Sequence, residues 1–150
     1  MGGRGLVIAE SDAASRELAE AFYANGEGFL RGAMTAFDRD LGAICYSLAI
    51  ASELVLKAFL LVQGWTDDRC RREIRHDLER GLGSAKEAGL NDVPAGFGDA
   101  VRILNAYYPK HAFMDFAVPE DDPEFVAKAR SAVAQLYETV GGHVWPAGGR

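Results

Sequence analysis

A chain of 150 residues, 49% hydrophobic and 25% charged, has the length and composition of one globular domain and excludes both a disordered segment and two independent cores. A formal net charge of −6 excludes a broad duplex-DNA coat, because neutralising phosphates over such a surface needs an excess of Lys and Arg. Two cysteines exclude a disulfide framework.

In chain order, the opening residues hold an apolar run only from Leu6 to Ala9, shorter than a secretory signal core, so the expectation is a cytoplasmic protein with Cys45 and Cys70 reduced. Asp12 is the expected N-cap of a first helix running towards Phe37, with Leu18, Phe22, Phe29, Ala33 and Phe37 on its apolar side. Asn25-Gly26-Glu27-Gly28 predicts a kink or break, since an interior Gly costs about 1 kcal/mol against Ala. Asp40 caps a second helix that stops at Gly64, about 36 Å long at 1.5 Å per residue. This is the most membrane-like stretch, but Glu53 and Lys57 near its middle would each cost about 2.5–3.5 kcal/mol at a bilayer centre. The expectation is therefore the central helix of a soluble bundle, with no membrane partner.

Residues 67–75 are polar, fitting a loop or a short helical turn. Residues 77–89 carry Leu78, Leu82, Ala85 and Ala88 at helical spacing and predict a third helix. Pro94 suits the first turn of a fourth, continuing through Val101, Leu104 and Tyr107 until Pro109 ends it. An aromatic-rich connection follows over 111–120. Asp122-Pro123-Glu124 then marks the start of a last helix, with Val126, Ala129, Val133, Leu136 and Val140 at three- and four-residue steps. Residues 141–150 read as a frayed tail. No segment alternates as a strand, and no repeat is evident. The fold class is all-α: a single-domain up-and-down bundle of four to five helices.

The residues able to carry chemistry fall in three places. Glu53 and Lys57 are four apart, in the favourable order for an ion pair, with Tyr46 and Ile50 on the same side of the helix. Their spacing fits a structural pair at a groove or seam, or a ligand contact. Arg69, Arg71, Arg72 and Arg75 lie within seven residues, one quarter of all the basic residues in an acidic chain. Arginine forks match phosphate oxygens, and the start of the third helix offers free N–H groups to an anion. Asp67, Asp68, Glu73 and Glu79 instead fit a neutralised, solvated turn.

His76 follows directly, as a proton acceptor or donor near neutral pH or as a bond that locks the turn. Lys110 and His111, after Tyr107 and Tyr108, could approach the same groove, whereas His143 lies in the tail. Tyr107, Tyr108, Phe113 and Phe116 could stack on bases or seal one end of the core. Cys70 and His76 lack a second ligand pair at zinc-like spacing, so neither a metal nor another cofactor is expected.

The segment Ala51-Ser52-Glu53-Leu54-Val55-Leu56-Lys57-Ala58-Phe59-Leu60, then Gly64, then His76-Asp77-Leu78 resembles the ordered signature of HEPN domains, with Tyr107-Tyr108 and the last helix behind it. The resemblance covers roughly residues 41–140. It implies a helical bundle, often a homodimer, bound up with nucleotide or RNA transactions. Some members are metal-independent endoribonucleases, others are partners of nucleotidyltransferases in toxin–antitoxin pairs, and others are binding domains without chemistry. Nuclease members carry Arg, four to six residues, then His near the start of the last helix. Here Arg69 and Arg71 have that spacing to His76, but ahead of the third helix. Tyr108-Pro109-Lys110-His111 stands where many members carry Arg-Tyr-Pro.

The leading expectation is a dimer that binds a nucleotide or RNA phosphate through Arg69, Arg71, Arg75 and His76, with Glu53, Lys57, Tyr108, Lys110 and His111 around it. The alternatives are a ribonuclease and a non-catalytic dimeric interaction module. In the ribonuclease, His76 would act as base and Arg71 would stabilise charge, two such sets meeting in a dimer.

Overall fold

The computed structural model describes residues 2–146. The element order is α1 (Gly2–Thr35), α2 (Leu41–Val62), α3 (Asp67–Glu73), α4 (Leu78–Glu87), α5 (Phe97–Asn105), 3-10 turns at Tyr108–Lys110 and Phe113–Asp115, and α6 (Phe125–Val144). The class is all-α, with no strand among the described residues. Among the described residues there are six α-helices instead of four to five, because the arginine stretch forms a helix of its own.

Three long helices make the frame. The Arg16 guanidinium donates to the Val144 carbonyl at 3.0 Å, and Arg130 donates to the Ala33 carbonyl at 2.9 Å, so α1 and α6 run antiparallel. Where α1, α2 and α6 meet, the Tyr137 hydroxyl donates to the Ala51 carbonyl and the Tyr23 hydroxyl to the Tyr137 carbonyl, both at 2.6 Å. Gly26 makes this junction feasible. A Cβ there would run into the Tyr137 hydroxyl and lie 3.1 Å from the Leu54 Cβ. The helix does not break there: α1 is continuous through residues 25–28, and its glycine answers a close approach.

α2 is the hub of the core. Asp40 caps it, accepting from the Ala43 N–H at 3.0 Å, and Gly64 follows it in the left-handed region at φ 102°, where glycine meets no Cβ penalty. Leu48, Val55, Leu56, Phe59, Leu60 and Leu61 are buried, each large apolar side chain contributing about 1.5–3 kcal/mol. α2 is long and apolar enough to cross a membrane by length and composition, but 72% of its most apolar window is covered by the rest of the protein, as in the core helix of a bundle.

α4 packs on α2, and α5 packs against α4, α6 and α2. Asp77 caps α4, accepting from the Arg80 N–H at 3.1 Å, while Asn105 at the end of α5 accepts from the Leu78 N–H at 2.8 Å. The two 3-10 turns then cross the first part of α2. Gly42 lies so close to the Phe113 carbonyl that any Cβ would collide with it, which seats this aromatic turn directly on the helix.

Several boundaries differ from expectation. Asp12 is not an N-cap, since α1 begins at Gly2 and runs through it. Pro94 precedes α5 instead of opening it, with its carbonyl accepting from the Phe97 N–H at 3.1 Å. α5 ends at Asn105, and Pro109 sits inside a 3-10 turn. At α6, Glu124 holds the cap position without a side-chain bond, and Asp122 instead pairs with Lys128 at 2.9 Å. The expected tail is helical through Val144: Gly141 packs against the Tyr23 ring, and His143 lies edge-on to Phe59 at 5.1 Å. Residues 147–150 lie outside the described residues.

Candidate functional site

Glu53 and Lys57 sit one turn apart on the best-covered helix, and both are buried, at 9% and 8% exposure. A carboxylate in such a place needs a counter-charge and bonds to its oxygens. Lys57 Nζ lies 3.0 Å from Glu53 Oε2. The other oxygen, Oε1, accepts from the Tyr108 hydroxyl at 2.9 Å and from His76 Nδ1 at 2.7 Å. Three donors from three parts of the chain thus converge on one acid: α2 itself, the α3–α4 link and the first 3-10 turn. Among the described residues, no buried side-chain nitrogen or oxygen lacks a hydrogen-bond partner.

The Glu53 bond sets the chemistry of His76. An ionised carboxylate only accepts, so the shared proton belongs on Nδ1, and in the neutral ring Nε2 carries the lone pair. The imidazole is 57% exposed, although the acid that holds it is buried. The Tyr108 ring stands edge-on to it at 5.6 Å, and the His111 ring centre lies 6.4 Å away. Burial first, and the Glu53 charge second, push the Tyr108 hydroxyl far above its ordinary range, so it stays protonated and keeps donating.

Backbone strain marks the same place. Among the described residues, Arg75 at φ 55° and His111 at φ 53° are the non-glycine residues in the left-handed region. Such residues cost on the order of 1–3 kcal/mol each and persist where the surroundings hold them. One immediately precedes His76, and the other is the facing histidine.

The expected site residues divide into two groups. Glu53, Lys57, His76, Tyr108 and His111 form one cluster, and exposed Arg75 and Lys110 adjoin it in the chain. Neither of these last two pairs with a carboxylate among the described residues. Arg69, Arg71 and Arg72 lie on α3 and bind its own acids: Arg69 pairs with Glu73 at 2.6 Å, Arg71 with Asp67, and Arg72 with Asp68 at 2.9 Å. Arg69 also lies 3.7 Å over the Trp65 ring. The start of α4, read above as offering free N–H groups to an anion, is occupied. Asp77 and Asn105 already accept from two of its N–H groups, because the same link must be tied to α5.

Neither cysteine suits covalent chemistry. Burial pushes the Cys45 thiol up to about 12 and the Cys70 thiol up to about 11, which suppresses the reactive thiolate. Among the described residues, no group of three or more His, Cys, Asp or Glu is placed to hold a metal ion. Tyr107, Tyr108, Phe113 and Phe116 pack together, Tyr107 stacked on Phe113 and edge-on to Phe116, with Tyr108 and Phe113 buried. The sequence reading passed over Asn105, which ties Asp77 in place through a 3.1 Å bond, and Met114, an exposed thioether beside His111. No local pattern distinguishes either from an ordinary helix end or turn.

No family model, curated protein or solved structure matches this chain.

Proposed function

We propose that this protein is a HEPN-like helical domain that binds a phosphate-bearing ligand, a nucleotide or RNA, where His76 and His111 face solvent. The observation that carries the reading is the buried Glu53 carboxylate holding His76 by Nδ1 at 2.7 Å, with the ring itself exposed. A purely structural ion pair has no need of a solvent-facing imidazole, nor of strained backbone on both sides of it. His76, His111, Arg75 and Lys110 would meet phosphate oxygens. Glu53, Lys57 and Tyr108 would hold His76 and balance charge beneath it. Arg69 and Arg71 would stand outside the contact, held by their own acids.

The resemblance in residue order to HEPN domains supports the choice of nucleotide or RNA, and with it a homodimer or a nucleotidyltransferase-type partner in a toxin–antitoxin system. The test is titration of the full chain at low salt with single-stranded RNA and with ATP. Binding is expected to weaken at least tenfold in His76→Ala combined with His111→Ala and to be insensitive to Arg72→Ala. Absence of binding, or binding untouched by the double substitution, contradicts the reading.

Two other readings each have one supporting observation. The Glu53–His76 bond also suits catalysis, with Nε2 as general base on a ribose 2′-hydroxyl of an RNA substrate. Cleavage of RNA in EDTA that disappears in His76→Ala would establish it. The exposed apolar side chains Phe29, Met34, Phe37, Tyr46 and Met114 suit a dimeric interaction module without chemistry. A stable dimer with no affinity for RNA or nucleotide would favour that reading.

A further inference from the structure

Beside the two imidazoles the surface changes character. Tyr46, His111, Phe113 and Met114 line a groove of about 280 Å³. That is close to the small end of ligand sites, about 300 Å³. Its walls are a phenol, a phenyl ring, a thioether and the His111 imidazole, which also faces His76 at 6.4 Å. One residue thus belongs both to the exposed histidine pair and to the apolar groove.

The aromatic wall is backed by the core. Phe113 is buried, and the Tyr46 ring stands 5.9 Å from it and 6.2 Å from the Tyr108 ring, yet Tyr46 remains 43% exposed. Met114 is 90% exposed, so its thioether adds little to the fold and is available to a flat ring. Among the described residues, no carboxylate, lysine or arginine lines the groove. Its chemistry selects a planar uncharged ring, whereas His76, His111, Arg75 and Lys110 select an anion. A nucleobase carried on a phosphorylated ribose joins the two.

We infer that this groove is a stacking site for the base of a nucleotide whose phosphate lies at His76 and His111, an inference that rests on the phosphate-binding reading above. Tyr46 supplies the ring face and Met114 the opposing contact. Stacking of this kind tolerates any base, because each has a π-face and the walls offer few groups to read base edges.

The test is calorimetric titration of the full chain with AMP, ribose 5-phosphate and inorganic phosphate. AMP is expected to bind about 5- to 150-fold more tightly than ribose 5-phosphate, the range that stacking of one base supplies. Tyr46→Leu brings AMP down to the level of ribose 5-phosphate and leaves ribose 5-phosphate unchanged. Met114→Ala, at a side chain too exposed to disturb folding, also weakens AMP alone. Equal affinity of the unaltered chain for AMP and ribose 5-phosphate overturns the groove while leaving the phosphate site standing. No binding of any of the three overturns the phosphate reading, and the groove falls with it.

Discussion

α3 and the Glu53 cluster hold comparable numbers of charged and polar side chains but treat them in opposite ways. On α3, three arginines bind acids four residues away on the same short helix, in water. Such pairs are screened and contribute little. At Glu53, one acid buried in the core gathers Lys57 from its own helix, His76 from 23 residues away and Tyr108 from 55. Local charge density is therefore a poor guide to a site in this molecule. The residues that could act on a ligand are the ones held by distant partners.

Removing the centre of the buried cluster is the strongest way to break this contrast. Glu53→Ala leaves the Lys57 ammonium buried without its counter-charge, and urea denaturation is expected to show a loss of about 3–5 kcal/mol. Adding Lys57→Met should restore much of that loss, since an apolar pair suits the site. A Glu53→Ala variant as stable as the parent chain would put the two regions on the same footing.

Alkaline titration sharpens the contrast next. Below pH 9 the thiols hold their protons in both folded and unfolded chains. In the unfolded chain they ionise near 9.0, but in the folded one Cys70 holds its proton to about 11 and Cys45 to about 12, because burial disfavours the thiolate. The unfolded state then binds fewer protons, so stability falls as pH rises from about 9. Buried Tyr108 and Tyr137 steepen the fall above 10, being raised in the same direction, chiefly by burial. By pH 11, about two units above the ordinary thiol value and one above the phenol value, the loss is on the order of 5–8 kcal/mol, at about 1.4 kcal/mol per unit per group. A flat profile from pH 8 to 11 would contradict the account of the interior.

Tyr108→Phe comes third. It deletes one donor to the Glu53 carboxylate and is expected to cost about 1.5–3 kcal/mol in denaturation, with the helical content unchanged by circular dichroism. The smallest effect belongs to Arg71→Ala combined with Arg72→Ala. Its midpoint should lie within error of the parent chain, and its affinity for RNA should be unaltered.

Much of the fold was legible because its signals are local. Asp40 before α2 and Gly64 after it read correctly, since a cap and a left-handed stop each act within a turn. The Thr66 side chain accepts from the Arg69 N–H at 3.0 Å, with Asp67 and Asp68 in the first turn, so the signals for α3 as a helix were present but masked by its polarity. Gly26 misled, because what it accommodates is Tyr137, more than a hundred residues further on. The same distinction holds for the site. Glu53 and Lys57 declared themselves by spacing, and His76 by chemistry. The bonds to His76 and Tyr108 that unite them depend on how α4 and the 3-10 turns pack on α2, which no local pattern encodes. The arginines were conspicuous for the opposite reason: they are dense in sequence, and they are neutralised within it.

Long-range nitrogen–proton spectra of the imidazole side chains, recorded on the full chain with and without AMP, test the central claim most directly. The account predicts that His76 in its neutral form carries its proton on Nδ1, that this state is lost in Glu53→Gln, and that AMP shifts the Nε2 resonances of both His76 and His111. A His76 protonated on Nε2 in the unliganded chain, with neither ring responding to AMP, would contradict it.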